Sequence, residues 1–191
     1  MFDPVRRIVE IAFGEGVLAD ADPDDLFEIS TGYVTLGANG YGSLDQAALA
    51  FGNVDASDFD AAVEEIEDLM SVSQSITTKR QEIHEDDYGY TWVILENSDF
   101  DELVTAIHGA ADTLIESGFG DYLLCAVFAF SGDKEIYLLY NFKRGKWYPF
   151  VPVRQGVRDS ETEEEIRELM DGELDLETEK NREYAFWDIP F

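Results

Sequence analysis

"YLLCAVFAFSGDKEIYLLYNFKRGKWYPFVPV" (Tyr122–Val153) is the stretch that decides the fold. It reads as three β-strands, "YLLCAVFAF", "EIYLLYNF" and "WYPFVPV", joined by "SGDK" and "KRGK". Connections that short make consecutive strands antiparallel neighbours. Arg144-Gly145 suits the centre of the second turn, since glycine tolerates a positive φ. Pro149 and Pro152 cannot donate ladder hydrogen bonds, which places the third strand at a sheet edge.

The same window is a charge anomaly. The chain of 191 residues has 42 acidic and 13 basic residues, a net charge of −29. Between Ile136 and Arg158 there are five bases and no acid: Lys143, Arg144, Lys146, Arg154 and Arg158. Lysines and prolines on an edge hairpin block unwanted strand pairing. The alternative is a binding surface in which Lys143, Arg144, Lys146, Trp147 and Tyr148 meet a partner. The exposure of Trp147 and Tyr148 decides between the two.

Working outward, helices flank the strands. "MFDPVRRIVEIAFGEG" has Asp3 as a cap, Pro4 in the first turn, Gly14 as a stop and an apolar stripe of Val5, Ile8, Val9 and Ala12. That stripe faces a core or, with Arg6 and Arg7, an anionic membrane surface. "DPDDLFEI" is a short helix or turn, and "GYVTLGANGYGSLDQAALAF" reads as two strands around a glycine-rich loop, Gly37–Gly42. "SDFDAAVEEIEDLM" from Ser57 and "SDFDELVTAIHGAADTLIESG" from Ser98 read as related capped helices, each after a strand. They suggest two ββα repeats. "SETEEEIRELMDGE" is a capped helix stopped by Gly172, and "YAFWDIPF" is an aromatic tail.

The expected fold is therefore a single α+β domain over residues 1–191, an antiparallel sheet with helices mainly on one face. Residues 1–22 form an N-terminal helical arm and residues 172–191 a C-terminal docking tail. No apolar run reaches the length of a membrane span, and no signal peptide is recognisable. Cys125 is the only cysteine, which excludes an intrachain disulfide and reads as a buried thiol. Acids spread along the chain, with only five lysines, fit a salt-rich cytoplasm and predict a loss of stability at low salt.

Catalytic signals are weak. "DADPDD" (Asp20, Asp22, Asp24, Asp25) starts like a calcium loop, but Asp25 and Thr31 stand where glycine and glutamate are needed, so it reads as an acidic cap. The Gly37–Gly42 loop lacks the Lys-Ser/Thr of a phosphate loop. "HEDDYGY" places His84, Asp86 and Asp87 together, and a metal-dependent enzyme there would need a ligand from elsewhere, with His108 as the candidate. No G-x-S-x-G occurs. No cofactor is expected.

"DDYGYTWVIL", "LIESGFGDYLLCAVFAF" and "YNFKRGKWYPFVPV" together resemble the PspA-associated PspAB family, with "DLFEISTGYVTL" and "GSLDQAALAF" in the same order. The likeness covers residues 24–153 most closely and is looser at the N-terminus. It implies an accessory protein linked to PspA, a coiled-coil membrane-remodelling protein of envelope stress, and often found with an HtpX-type membrane protease. It implies no catalytic residues, and it fits a haloarchaeal source. The expected function is a non-enzymatic adaptor acting by protein–protein contact, cytoplasmic and at the inner membrane face. The alternatives are the metal enzyme around His84, Asp86 and Asp87, and a direct anionic-lipid or nucleic-acid binder using the basic hairpin. Extended nucleic acid is the less expected partner, because the rest of the chain carries eight bases against 42 acids.

Overall fold

The structure is a computed structural model that describes residues 21–52 and 80–191, with Glu64 and Asp68 in helix between them. Residues 1–20 of the expected N-terminal helical arm, and all of the first repeated helix except Glu64 and Asp68, therefore lie outside the described residues.

A 3-10 helix, Pro23–Glu28, is capped by Asp22, whose carboxylate accepts from the Asp24 amide at 3.0 Å. It leads into α1 (Ile29–Ala38). This is a correction: "GYVTL" is helical, although its Tyr, Val and Thr favour strands. Leu26, Ile29, Gly32 and Leu36 recur every three or four residues and are buried, so tertiary burial outweighs local propensity. Gly32 permits the packing, because a Cβ there would lie 3.1 Å from Met170 Sδ. The glycine-rich loop ends α1, with Gly40 at φ +89° and the Tyr41 amide donating to the Leu36 carbonyl at 3.0 Å.

The strands β1 (Gly42–Phe51), β2 (Arg80–Glu85), β3 (Thr91–Glu96), β4 (Leu123–Ser131), β5 (Glu135–Asn141) and β6 (Lys146–Phe150) form one antiparallel sheet in the order β2-β3-β1-β4-β5-β6. Between β3 and β4 runs α2 (Phe100–Glu116), capped by Asp99, which accepts from the Glu102 amide at 3.1 Å. Its stripe of Phe100, Val104, Ile107, Ala111 and Leu114 is buried, as its spacing predicts. A small hairpin, β7 (Pro152–Arg154) and β8 (Val157–Arg158), precedes α3 (Ser160–Met170).

The helices α1, α2 and α3 pack on one face. Val93, Leu95, Leu49, Phe128, Phe130, Leu138 and Trp147 point into that core. The alternate residues, Trp92, Ile94, Cys125, Val127, Leu139, Tyr148 and Phe150, point the other way and are also buried. There the cover is the C-terminal tail, with Tyr184, Phe186, Trp187, Ile189 and Phe191 packed against the sheet. Cover on both faces explains why the central strands are continuous apolar runs, whereas a half-solvated antiparallel sheet would alternate. Cys125 is fully buried, and burial pushes its thiol well above the ordinary range.

Candidate functional site

The basic loop between β5 and β6 is built from its own sequence. The Asn141 carbonyl accepts from the Arg144 amide at 3.1 Å and the Gly145 amide at 2.8 Å, and its side chain accepts from the Lys143 amide at 2.9 Å. Gly145 takes φ +62°, as the turn requires. β6 is the terminal strand of the sheet.

Its outer edge is nevertheless occupied. The Trp147 amide donates to the Asp175 carbonyl at 2.9 Å, and the Glu177 amide donates to the Trp147 carbonyl at 2.7 Å. The tail thus runs parallel beside β6, bridging Leu176 to Trp147. An edge covered in this way offers no free ladder groups to another chain at Trp147.

Trp147 and Tyr148 are both 0% exposed. This removes the aromatic half of the binding-surface alternative, which needed both side chains exposed, and favours the edge-hairpin reading. Adjacent residues on a strand point to opposite faces, and both faces are covered. Trp147 packs on Tyr140 at 5.1 Å and Phe128 at 6.0 Å. The Tyr148 hydroxyl donates to the Tyr184 carbonyl of the tail at 3.0 Å.

The bases of the window meet the tail and the neighbouring loop. Arg144 Nε donates to Glu177 at 2.8 Å and Nη2 to the same carboxylate at 3.3 Å. Burial would raise the pKa of Glu177, but Arg144 and the Glu179 amide outweigh it and hold the carboxyl below its ordinary value. Lys146 pairs with Asp175 at the surface. Lys143 Nζ donates to the carbonyls of Gly120 and Asp121, and burial pulls its pKa down against the attraction of Asp121. All three bases are half-buried.

Arg158 lies deeper. Its Nε donates to Glu163 at 2.7 Å, and its Nη2 donates to Glu183 at 2.9 Å and to the Pro149 carbonyl at 3.1 Å. Arg167 binds Glu183 too and donates to the Glu177 carbonyl at 2.9 Å. Glu163 also accepts from the Val151 amide at 2.9 Å. Charges this buried need such pairing. Three of the five anomalous bases, Arg144, Lys146 and Arg158, are therefore the counter-surface for the chain's own acidic tail. Sequence reasoning missed Asp175, Glu177 and Glu183. The signal was present, since a window without acids and a tail rich in them are complementary.

The residues weighed for metal chemistry do not converge. His84 pairs across from Trp92, on the tail face, and is exposed. His108 is on α2, on the helix face, 2.8 Å from Asp24. Asp86 accepts from the amides of Tyr88 and Tyr90, both at 2.9 Å, and from Trp92 Nε1 at 2.8 Å, so it organises the β2–β3 turn. Asp87 is exposed in the same turn. Among the described residues no group of three His, Cys, Asp or Glu side chains could hold a metal ion.

The architecture defines a single-domain α+β protein whose six-stranded antiparallel sheet is roofed by helices on one face and sealed by its C-terminus on the other. The family model for PspA associated protein B (PspAB) matches residues 6–191, and the chain belongs to that family. No curated protein and no solved structure matches it. Among the described residues no helix is long and apolar enough to cross a membrane.

Proposed function

We propose that this protein is a non-enzymatic accessory protein of a membrane-stress system, acting by direct contact with a PspA-type partner. The observation that carries the reading is family membership over nearly the whole chain, in a family described as PspA-associated. Burial of Trp147 and Tyr148 removes the aromatics from any contact, so the surface proposed is the charged rim alone, the β5–β6 loop with the tail strand beside it. Lys143, Arg144 and Lys146 are half-buried there, next to Asp175 and Glu179. Trp147 and Tyr148 contribute from beneath, by fixing the loop. Such a mixed-charge surface suits a partner of alternating charge better than a polyanion.

The test is a pulldown in molar salt, with a PspA-type protein as one bait and an HtpX-type protease as another. Lys146→Glu is the informative variant, since Lys146 pairs at the surface, whereas Lys143 holds two loop carbonyls and Arg144 holds buried Glu177, and losing either risks the fold. Retention of the wild type on PspA, reduced about tenfold or more in the variant, is the expected result. Failure of the wild type to bind the PspA-type bait overturns the reading. Equal binding by the variant moves the contact away from this loop.

A further inference from the structure

A small cleft opens where the β2–β3 turn meets the tail. Its walls are aromatic, with Tyr88 and Tyr90 from the turn and Tyr184 and Trp187 from the tail. Asp86 and Asp188 bring two carboxylates, and among the described residues no basic side chain lines it. Trp92 and Phe186 complete the floor, packed edge to face at 5.4 Å. At the rim, Gln155 Nε2 donates to the Tyr88 hydroxyl at 2.8 Å.

Aromatic faces carry negative potential, and carboxylates add to it, so the cleft attracts a cation. The hydrogen bonding narrows the class. Asp86 already accepts three hydrogen bonds, from Tyr88, Tyr90 and Trp92. The hydroxyls of Tyr90 and Tyr184 bond to each other at 2.7 Å. At the floor a primary ammonium would bring three donors to Asp86 and tyrosine oxygens that are largely engaged, which leaves it only the exposed Asp188 carboxylate at the rim, and burying the remaining donors unpaired is costly. A methylated ammonium carries the same charge without that demand.

We propose that this cleft binds a methylated, quaternary ammonium group. Because the β2–β3 turn and the tail both line the cleft, an occupant that touches both also clamps the tail to the sheet. The proposal concerns a site remote from the basic loop and stands independently of the PspA reading.

The experiment titrates the full chain with tetramethylammonium and choline at constant ionic strength. Tryptophan fluorescence is the readout, since Trp92 and Trp187 line the cleft. Methylammonium controls for charge, and the uncharged tert-butyl analogue of choline controls for shape. Saturable binding of the quaternary ions, about tenfold tighter than either control, is expected. Tyr88→Ala and Asp188→Asn, both at exposed positions, should each weaken it about threefold or more. Tyr122→Ala, an exposed tyrosine outside the cleft, should leave it unchanged. Vesicles of phosphatidylcholine against phosphatidylglycerol separate a lipid headgroup from a free solute as the source. Absence of saturation by tetramethylammonium, equal affinity for either control, or unchanged affinity in both cleft variants overturns the proposal.

Discussion

Arg144 and Glu177 join the basic loop to the C-terminal tail through two hydrogen bonds, at 2.8 and 3.3 Å. The Glu177 side chain is 3% exposed, whereas that of Arg144 is 29% exposed. Removing the arginine strands a buried carboxylate, which costs more than the pair itself contributes. Arg144→Ala should therefore destabilise the protein by about 2 kcal/mol, less than breaking a fully buried pair costs, because Arg144 is partly solvated. Lys146→Ala breaks a solvent-exposed pair and should cost no more than about 0.5 kcal/mol. Urea unfolding of the two variants measures the contrast, and equal losses would refute the division between buried and surface pairs.

Phe186 is the tail's deepest anchor, at 3% exposure, packed edge to face on Trp92, Tyr90 and Tyr184. Phe186→Ala removes that aromatic packing and leaves a cavity, so it should cost about 3 kcal/mol. It should also loosen the tail and expose Trp92 and Tyr148. Binding of a hydrophobic dye and faster amide exchange along β3 and β6 are the expected signs.

Asp159 caps α3, accepting from the Thr162 amide at 3.2 Å, and pairs with Lys134. The Lys134 ammonium and the Thr162 amide hold its carboxyl at about 2, against an ordinary 3.8. A depressed carboxyl contributes stability above its unfolded value, and that contribution is lost as pH falls through its folded value. Asp159→Asn retains capping ability but not charge. The Tm of this variant should lie below wild type at neutral pH, and the gap should close as pH drops from about 4 toward 2.

Asp86 satisfies Trp92 Nε1 inside the β2–β3 hairpin, where Trp92 is 0% exposed. Asp86→Ala leaves the indole N–H unsatisfied and dissolves the turn bonds to Tyr88 and Tyr90. A loss of about 2 kcal/mol is expected. If Asp86→Ala unfolds at the same urea concentration as wild type, Asp86 is free for another task and its assignment to the turn is wrong.

The strands from Leu123 to Phe150 were legible because turn chemistry and apolar runs agree over a long stretch. The same holds for α2, where Asp99, the acids after it and the Phe100–Leu114 stripe all specify one helix. The α1 segment was illegible because "GYVTL" has strand-forming residues, and its helical burial pattern becomes meaningful only when Met170 and Leu174 lie against Gly32. The basic window was visible as a charge anomaly, but its partner was not. Arg144 and Glu177 are 33 residues apart, and spacing of that kind carries no local signal.

The sequence by itself determined the α+β class, the hairpin order of the last three large strands, the capped helices α2 and α3, and the burial of Cys125. These follow from short-range periodicity and turn chemistry, which act within a few residues. Only the tertiary structure decided that Trp147 and Tyr148 are interior and that Arg144 and Lys146 beside them face the chain's own acids. Whether a side chain on a strand meets water depends on what covers each face. Here the second cover is a tail that returns from the far end of the chain.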